Sequence, residues 1–247
     1  MEVWNLLIIS SAFAFGGILK GATGAGAPIL AVPVLAIYYD VPFAVALIVM
    51  PNIVPNIWQA FKFRGDSLSK PFVLKFAAGG AIGAALGTFF LWLSSSEYLS
   101  LGMGFIIIFY IAFKLYNPNW RLSQERANKI VIPISTLAGF FQGSAGLSSP
   151  ISLTFLNSMN LKRSQFIATV SVFFAAMGLI QLPLQIYLGI MNLERFIYSS
   201  LSLIPLIIFM PLGSFIAKFL SRRRFDMIIL FLLLGLAVKL ILENIFL

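Results

Sequence analysis

Residues 21–28 read Gly21-Ala22-Thr23-Gly24-Ala25-Gly26-Ala27-Pro28, and residues 143–150 read Gly143-Ser144-Ala145-Gly146-Leu147-Ser148-Ser149-Pro150. Each run interrupts a long apolar stretch, 3–39 in one case and 130–161 in the other. Glycine lowers helix stability and proline removes a backbone donor, so this density ends a helix rather than bending it. The pieces on either side are 11–18 residues long, short for a crossing that takes about 20. They read as two Gly-broken hairpins, re-entrant or built from half-helices. The incoming half-helices are expected to end near Gly17 and Gly139.

The two runs belong to an internal repeat. At an offset of 122, Gly17, Gly21, Gly24, Pro28 and Ala46 fall on Gly139, Gly143, Gly146, Pro150 and Ala168. With small insertions, Gly65 falls on Gly189 and Gly87-Thr88-Phe89 on Gly213-Ser214-Phe215. The expected units are therefore 1–117 and 128–247, joined by a linker at 118–127. Six further apolar segments, at 42–61, 71–94, 98–114, 164–186, 195–218 and 225–245, are long enough to be ordinary transmembrane helices. Each repeat then holds one hairpin and three crossings.

Composition agrees with a membrane solvent. Of 247 residues, 60% are hydrophobic, and mean hydropathy is +0.98. Only 10% are charged, where a soluble domain carries about 25%. The chain cannot cover a water-facing surface, so the fold class is an all-α polytopic membrane protein. Met1-Glu2-Val3-Trp4 carries no basic stretch and Lys20 interrupts the first apolar run, so no cleaved leader is expected.

The net charge of +9 suggests a nucleic-acid partner only if the membrane is ignored. Most cations fall in four connections: Lys62, Arg64, Lys70 and Lys75; Lys114, Arg121, Arg126 and Lys129; Lys162 and Arg163; Lys218, Arg222, Arg223 and Arg224. If each broken segment crossed once, these connections would lie on both faces. If each enters and leaves on one side, all four lie together, and positive loops face the cytoplasm. Both termini and the connections near Asp40, Glu97 and Glu194 then lie outside. Each repeat makes an odd number of crossings, so the two have inverted topology, an arrangement of secondary transporters with a midplane site.

The chain has no His and no Cys, so imidazole bases, thiol nucleophiles and zinc sites of those ligands are excluded. No GxSxG element and no intramembrane carboxylate is present, so no enzyme, metal site or cofactor is expected. The tips carry the chemistry instead. Pro28 and Pro150 suit the first turn of a returning helix, and Ser149 stands where an N-cap belongs. Free N–H groups and the positive dipole end would face the protein centre and suit an anion. Carbonyls ending the incoming half-helices suit a cation, and the dipole alone does not choose.

Lys20 tilts the choice toward an anion. It sits beside the first tip at membrane depth, where a lone cation is costly. Its partner is either a bound anion or water in a vestibule reached by snorkelling. The candidate binding residues are Lys20, Gly21, Thr23, Gly24 and Gly26 at the first tip. Gln142, Gly143, Ser144, Gly146, Ser148 and Ser149 form the second. Asn52 and Asn56, with Gln59, share one helix face at spacings of four and three; Gln181 and Gln185 share another. The alternative for these amides is interhelical hydrogen bonding. The small residues Gly79, Gly83 and Gly87 read as close helix packing. Lys239 and Glu243 read as a surface i,i+4 pair, and the 25 Phe as packing and lipid contact.

A glycine-rich GxxGxGxxxxP-like element after the first apolar stretch, repeated mid-chain, resembles the TauE/SafE sulfite exporter family, also called the sulfonate uptake permease family. The motif maps onto Gly21, Gly24, Gly26 and Pro28, and its second copy onto Gly143, Gly146 and Pro150. Ala25 and Ala27 interrupt the first run, and Leu147, Ser148 and Ser149 replace glycines in the second. The resemblance implies an inner-membrane permease for a sulfur-containing or organic anion such as sulfite, thiosulfate or a sulfonate. The expected activity is secondary transport by alternating access, with an uncoupled channel-like protein as the alternative. Expected partners are the anion, the lipid bilayer and a coupling ion, H+ or Na+, but no nucleic acid.

Overall fold

A computed structural model describes residues 3–117, 120–219 and 222–245, with side chains omitted for 222–226 and 244–245. Pro118 and Asn119 of the linker, both chain ends, and the side chains of Arg222, Arg223 and Arg224 therefore lie outside the described residues. Twelve α-helices and no strand are found among the described residues. The first half holds α1 (Val3–Thr23), α2 (Ala27–Tyr38), α3 (Val41–Leu47), α4 (Val49–Lys62), α5 (Lys70–Leu93) and α6 (Ser96–Tyr116). The second holds α7 (Gln124–Ala145), α8 (Ser149–Ser158), α9 (Arg163–Tyr187), α10 (Leu193–Leu201), α11 (Leu203–Phe219) and α12 (Arg222–Ile245). Among the described residues, six helical stretches are long and apolar enough to cross a membrane: Val3–Thr23, Val41–Lys62, Lys70–Leu93, Ser96–Tyr116, Arg163–Tyr187 and Leu193–Phe219.

Two expectations are corrected. The incoming helices do not end near Gly17 and Gly139; α1 continues to Thr23 and α7 to Ala145, each longer than the expected fragments. The reason is packing. A Cβ at Gly17 would overlap the Leu206 carbonyl and one at Gly21 the Met210 carbonyl, both on α11. Gly139 and Gly143 stand in the same relation to Gly80 and Ala84 on α5. These glycines let two backbones approach, while the chain breaks only at Gly24–Gly26 and Gly146–Ser148. Ser149 is also not the N-cap of α8: it is the first helical residue, and Ser148 precedes it without a side-chain cap.

The packing between halves is reciprocal. Gly213 lies against the Ile18 carbonyl as Gly87 lies against that of Phe140. Leu206 and Met210 occupy on α11 the positions of Gly80 and Ala84 on α5. The α1–α11 contact of one half is thus reproduced, with the halves exchanged, by the α5–α7 contact. Gly83 sits over the Thr136 carbonyl and Gly79 over Ser135, so the small-residue face of α5 is a packing seam.

Proline and serine shape the remaining breaks. Pro51 has no N–H to offer the Leu47 carbonyl one turn back. The Ser199 hydroxyl of α10 donates to that carbonyl at 2.8 Å and accepts from the Met50 N–H at 3.1 Å. This bridges α3 and α4 into one stretch. Inside, Phe72, Phe76, Phe155 and Phe173 form a stacked aromatic cluster, with Phe76 and Phe173 centroids 4.1 Å apart. Phe105, Phe109 and Phe231 are exposed, as lipid-facing rings are.

Candidate functional site

Lys20 lies one turn before the end of α1 and is 3% exposed. Such burial does not describe a side chain snorkelling to a vestibule. Its ammonium donates to Asn56 Oδ1 at 2.8 Å, and the Asn56 amide nitrogen donates to the Asn52 carbonyl at 2.8 Å. Two candidates 36 residues apart thus meet directly. Among the described residues Lys20 forms no ion pair; the salt bridges are Lys129–Glu125 at 2.7 Å and Lys239–Glu243 at 3.5 Å. Burying an ammonium costs several kcal/mol, and a hydrogen bond to a charged group contributes about 1.5–3 kcal/mol. One neutral amide does not balance the charge.

The second tip is organised by Gln142, which the repeat places opposite Lys20. Its Oε1 accepts from the Ser148 hydroxyl at 2.9 Å and from the Ser148 N–H at 3.4 Å. A backbone N–H only donates, which fixes the amide with Oε1 on Ser148. Gln142 Nε2 is left buried without a partner, and so is Ser149 Oγ. Gln181 Nε2 donates to the Gln142 carbonyl at 3.4 Å, and the Gln181 Oε1 is then an unpartnered buried acceptor.

The first group is anchored on α4 through Asn56 and the second on α9 through Gln181, and these two helices pack together. Ile53 packs where a Cβ on Gly178 would stand, and Ser171 Oγ donates to Gln59 Oε1 at 3.2 Å. These contacts run in opposite chain directions, so α4 and α9 cross antiparallel. Asn52 stands next to Ile53, and Gln181 lies one turn beyond Gly178. Asn52 Nδ2, Thr169 Oγ1 and both polar atoms of Gln185 are buried without partners. Ser171 is an addition to the candidates, a hydroxyl on an apolar helix that only the face it shares with Gln181 and Gln185 signals; Thr169 stands on the opposite face of α9.

The other candidates hold the tips in shape. Gly24 and Gly26 have φ of 87° and 95°, and Gly146 has φ of 67°, a region that side chains disfavour. Gly26 faces Leu153 of α8, and Gly146 faces Val32 of α2, so each tip rests on the other half. The Thr23 hydroxyl bonds the Leu19 carbonyl at 2.8 Å and also the Ala25 carbonyl. The Ser144 hydroxyl bonds the Phe140 carbonyl at 2.8 Å. The Gly21 carbonyl accepts from Ser214 Oγ at 2.9 Å and from the Arg163 guanidinium at 3.4 Å. Gly21 and Gly143 serve the helix contacts described above.

Comparison with known proteins gives one match. The family model described as Sulfite exporter TauE/SafE covers residues 9–240. No curated protein and no solved structure matches the chain.

Proposed function

The chain belongs to the sulfite exporter TauE/SafE family, a family of membrane transporters, and from that premise we propose that it moves a small anion across the cytoplasmic membrane by alternating access. The anion is a sulfur-containing or organic one, such as sulfite, thiosulfate or a sulfonate. The observation that carries this reading is Lys20, a buried cation that among the described residues is held by a neutral amide alone, in a seam with unpartnered donors. An anion supplies the missing charge, and Asn52 Nδ2, Gln142 Nε2 and Ser149 Oγ supply hydrogen bonds to it. Gly24, Gly26 and Gly146 give the tips their turns; Gly21, Thr23, Gly143, Ser144 and Ser148 hold the tips, and Gln181 lines the second.

In this reading the halves 1–117 and 128–247 are inverted repeats, each a Gly-broken hairpin with three crossings. The reciprocal α1–α11 and α5–α7 contacts support it. Alternating access rocks one half against the other around the α4–α9 seam. The basic connections lie in the cytoplasm and both termini outside. The coupling ion is H+ or Na+, and its proton, if it is H+, is not carried by a carboxylate in the seam.

The test is transport into liposomes by the purified protein. Lys20→Ala and Lys20→Glu are expected to abolish saturable, counterflow-competent anion uptake at unchanged protein content. Undiminished uptake in either variant overturns the site.

A further inference from the structure

We infer that the transported anion carries a hydroxyl group beside its charged end, and that Gln181 reads it. The inference rests on the anion reading above and adds the chemistry of the rest of the ligand. It comes from the orientation of two amides. Gln142 is fixed by the Ser148 N–H, so its open atom is Nε2, a donor. Gln181 is fixed by the Gln142 carbonyl, which only accepts, so its open atom is Oε1, an acceptor. Donor and acceptor are both buried, belong to residues that touch each other, and do not bond to one another.

A fully deprotonated inorganic oxyanion satisfies the donors and leaves Gln181 Oε1 without a partner. Gln185, one turn further along the same face of α9, adds a second buried open acceptor and an open donor. A ligand presenting an oxygen acceptor toward Gln142 and Ser149 and an O–H toward Gln181 satisfies both kinds of group. An ammonium in place of the hydroxyl would add a second buried cation to the one Lys20 already supplies, with no carboxylate among the described seam residues to balance it. The seam therefore selects a hydroxylated anion over both its unsubstituted and its aminated counterpart.

The test compares three ligands of nearly equal size, ethanesulfonate, 2-hydroxyethanesulfonate and 2-aminoethanesulfonate, titrated calorimetrically onto the purified full chain. The hydroxylated ligand is expected to bind about tenfold tighter than ethanesulfonate, the yield of one well-made hydrogen bond. The aminated ligand is expected to bind no tighter than ethanesulfonate. Gln181→Leu should erase the preference, so that the hydroxylated ligand and ethanesulfonate bind the variant equally. Equal affinity for the hydroxylated and plain ligands, or a preference for the aminated one, overturns the inference, and this wild-type comparison stands even if the variant does not fold. A preference that survives in folded Gln181→Leu overturns it too. If all three bind equally and Lys20→Met abolishes binding, only this inference falls. If none binds, or Lys20→Met binds all three like the wild type, the anion reading falls with it.

Discussion

Asn56 sets the resting partner of Lys20, and the arrangement makes a sharp prediction about what a charge there would do. Asn56→Asp keeps the size and the 2.8 Å contact but supplies the anion permanently. The variant is expected to fold and melt no lower than the wild type, because the buried ammonium gains a counter-charge. It is expected to lose anion binding by more than tenfold, since the ligand must compete with a tethered carboxylate. Asn56→Leu removes the hydrogen bond that the buried Lys20 ammonium makes and should cost about 1.5–3 kcal/mol of stability. Thermal melts and anion titrations of the two variants check this; wild-type anion affinity in Asn56→Asp would show that Lys20 does not meet the ligand. Both residues were legible in the sequence as candidates, Lys20 from its depth and Asn56 from its shared face with Asn52. Their pairing was not, because 36 residues of chain and two intervening helices decide it.

The glycines divide by element into those that pack and those that turn. On α5, a Cβ at Gly83 would overlap the Thr136 carbonyl of α7, while Gly102 on α6 has nothing within 4 Å. Gly83→Ala must push apart two helices in close backbone contact and is expected to cost about 1–3 kcal/mol. Gly102→Ala gains helix propensity without a clash and should be neutral or stabilising by up to about 1 kcal/mol. Melting temperatures of the two variants in one detergent measure the contrast, and equal shifts would contradict the packing. The same distinction decides which of these glycines mark a helix end. The break at 24–28 was legible because a positive-φ glycine and a proline fall together there. Gly17, Gly21, Gly139 and Gly143 looked like part of it, yet their four-residue spacing is the mark of one helix face. The same spacing marks packing on α5 and stands beside a helix end on α1 and α7; which it means depends on a partner helix elsewhere in the chain.

At the scale of the whole molecule, the proposed inversion fixes which connections share a face, and the absence of cysteine from the chain makes it directly measurable. The reciprocal glycine contacts tie α1 to α11 and α7 to α5, as the proposed exchange of halves requires. With basic connections inward, Ser69 before α5 and Gln124 at the start of α7 face the cytoplasm. Ser95 before α6 and Glu194 at the start of α10 face the opposite side. All four are exposed, so a cysteine at each position can react without disturbing the core. In intact cells, a membrane-impermeant maleimide is expected to label Ser95→Cys and Glu194→Cys and to spare Ser69→Cys and Gln124→Cys until the membrane is opened. If α7 and α8 together crossed once, as parallel repeats require, Glu194 would fall on the same side as Gln124 and Ser69, because one additional crossing reverses every later connection. The same four variants also bear on mechanism: a midplane site flanked by two exchanged halves requires the cytoplasmic and external positions to be fixed in sidedness while the seam between α4 and α9 alternates. A cysteine at Gln185, buried in the resting seam, should therefore react with a small external maleimide only in proportion to the outward-open population. Saturating anion should change its labelling rate while leaving Ser95→Cys and Glu194→Cys unaffected. A Gln185→Cys rate indifferent to anion would argue against a seam that opens.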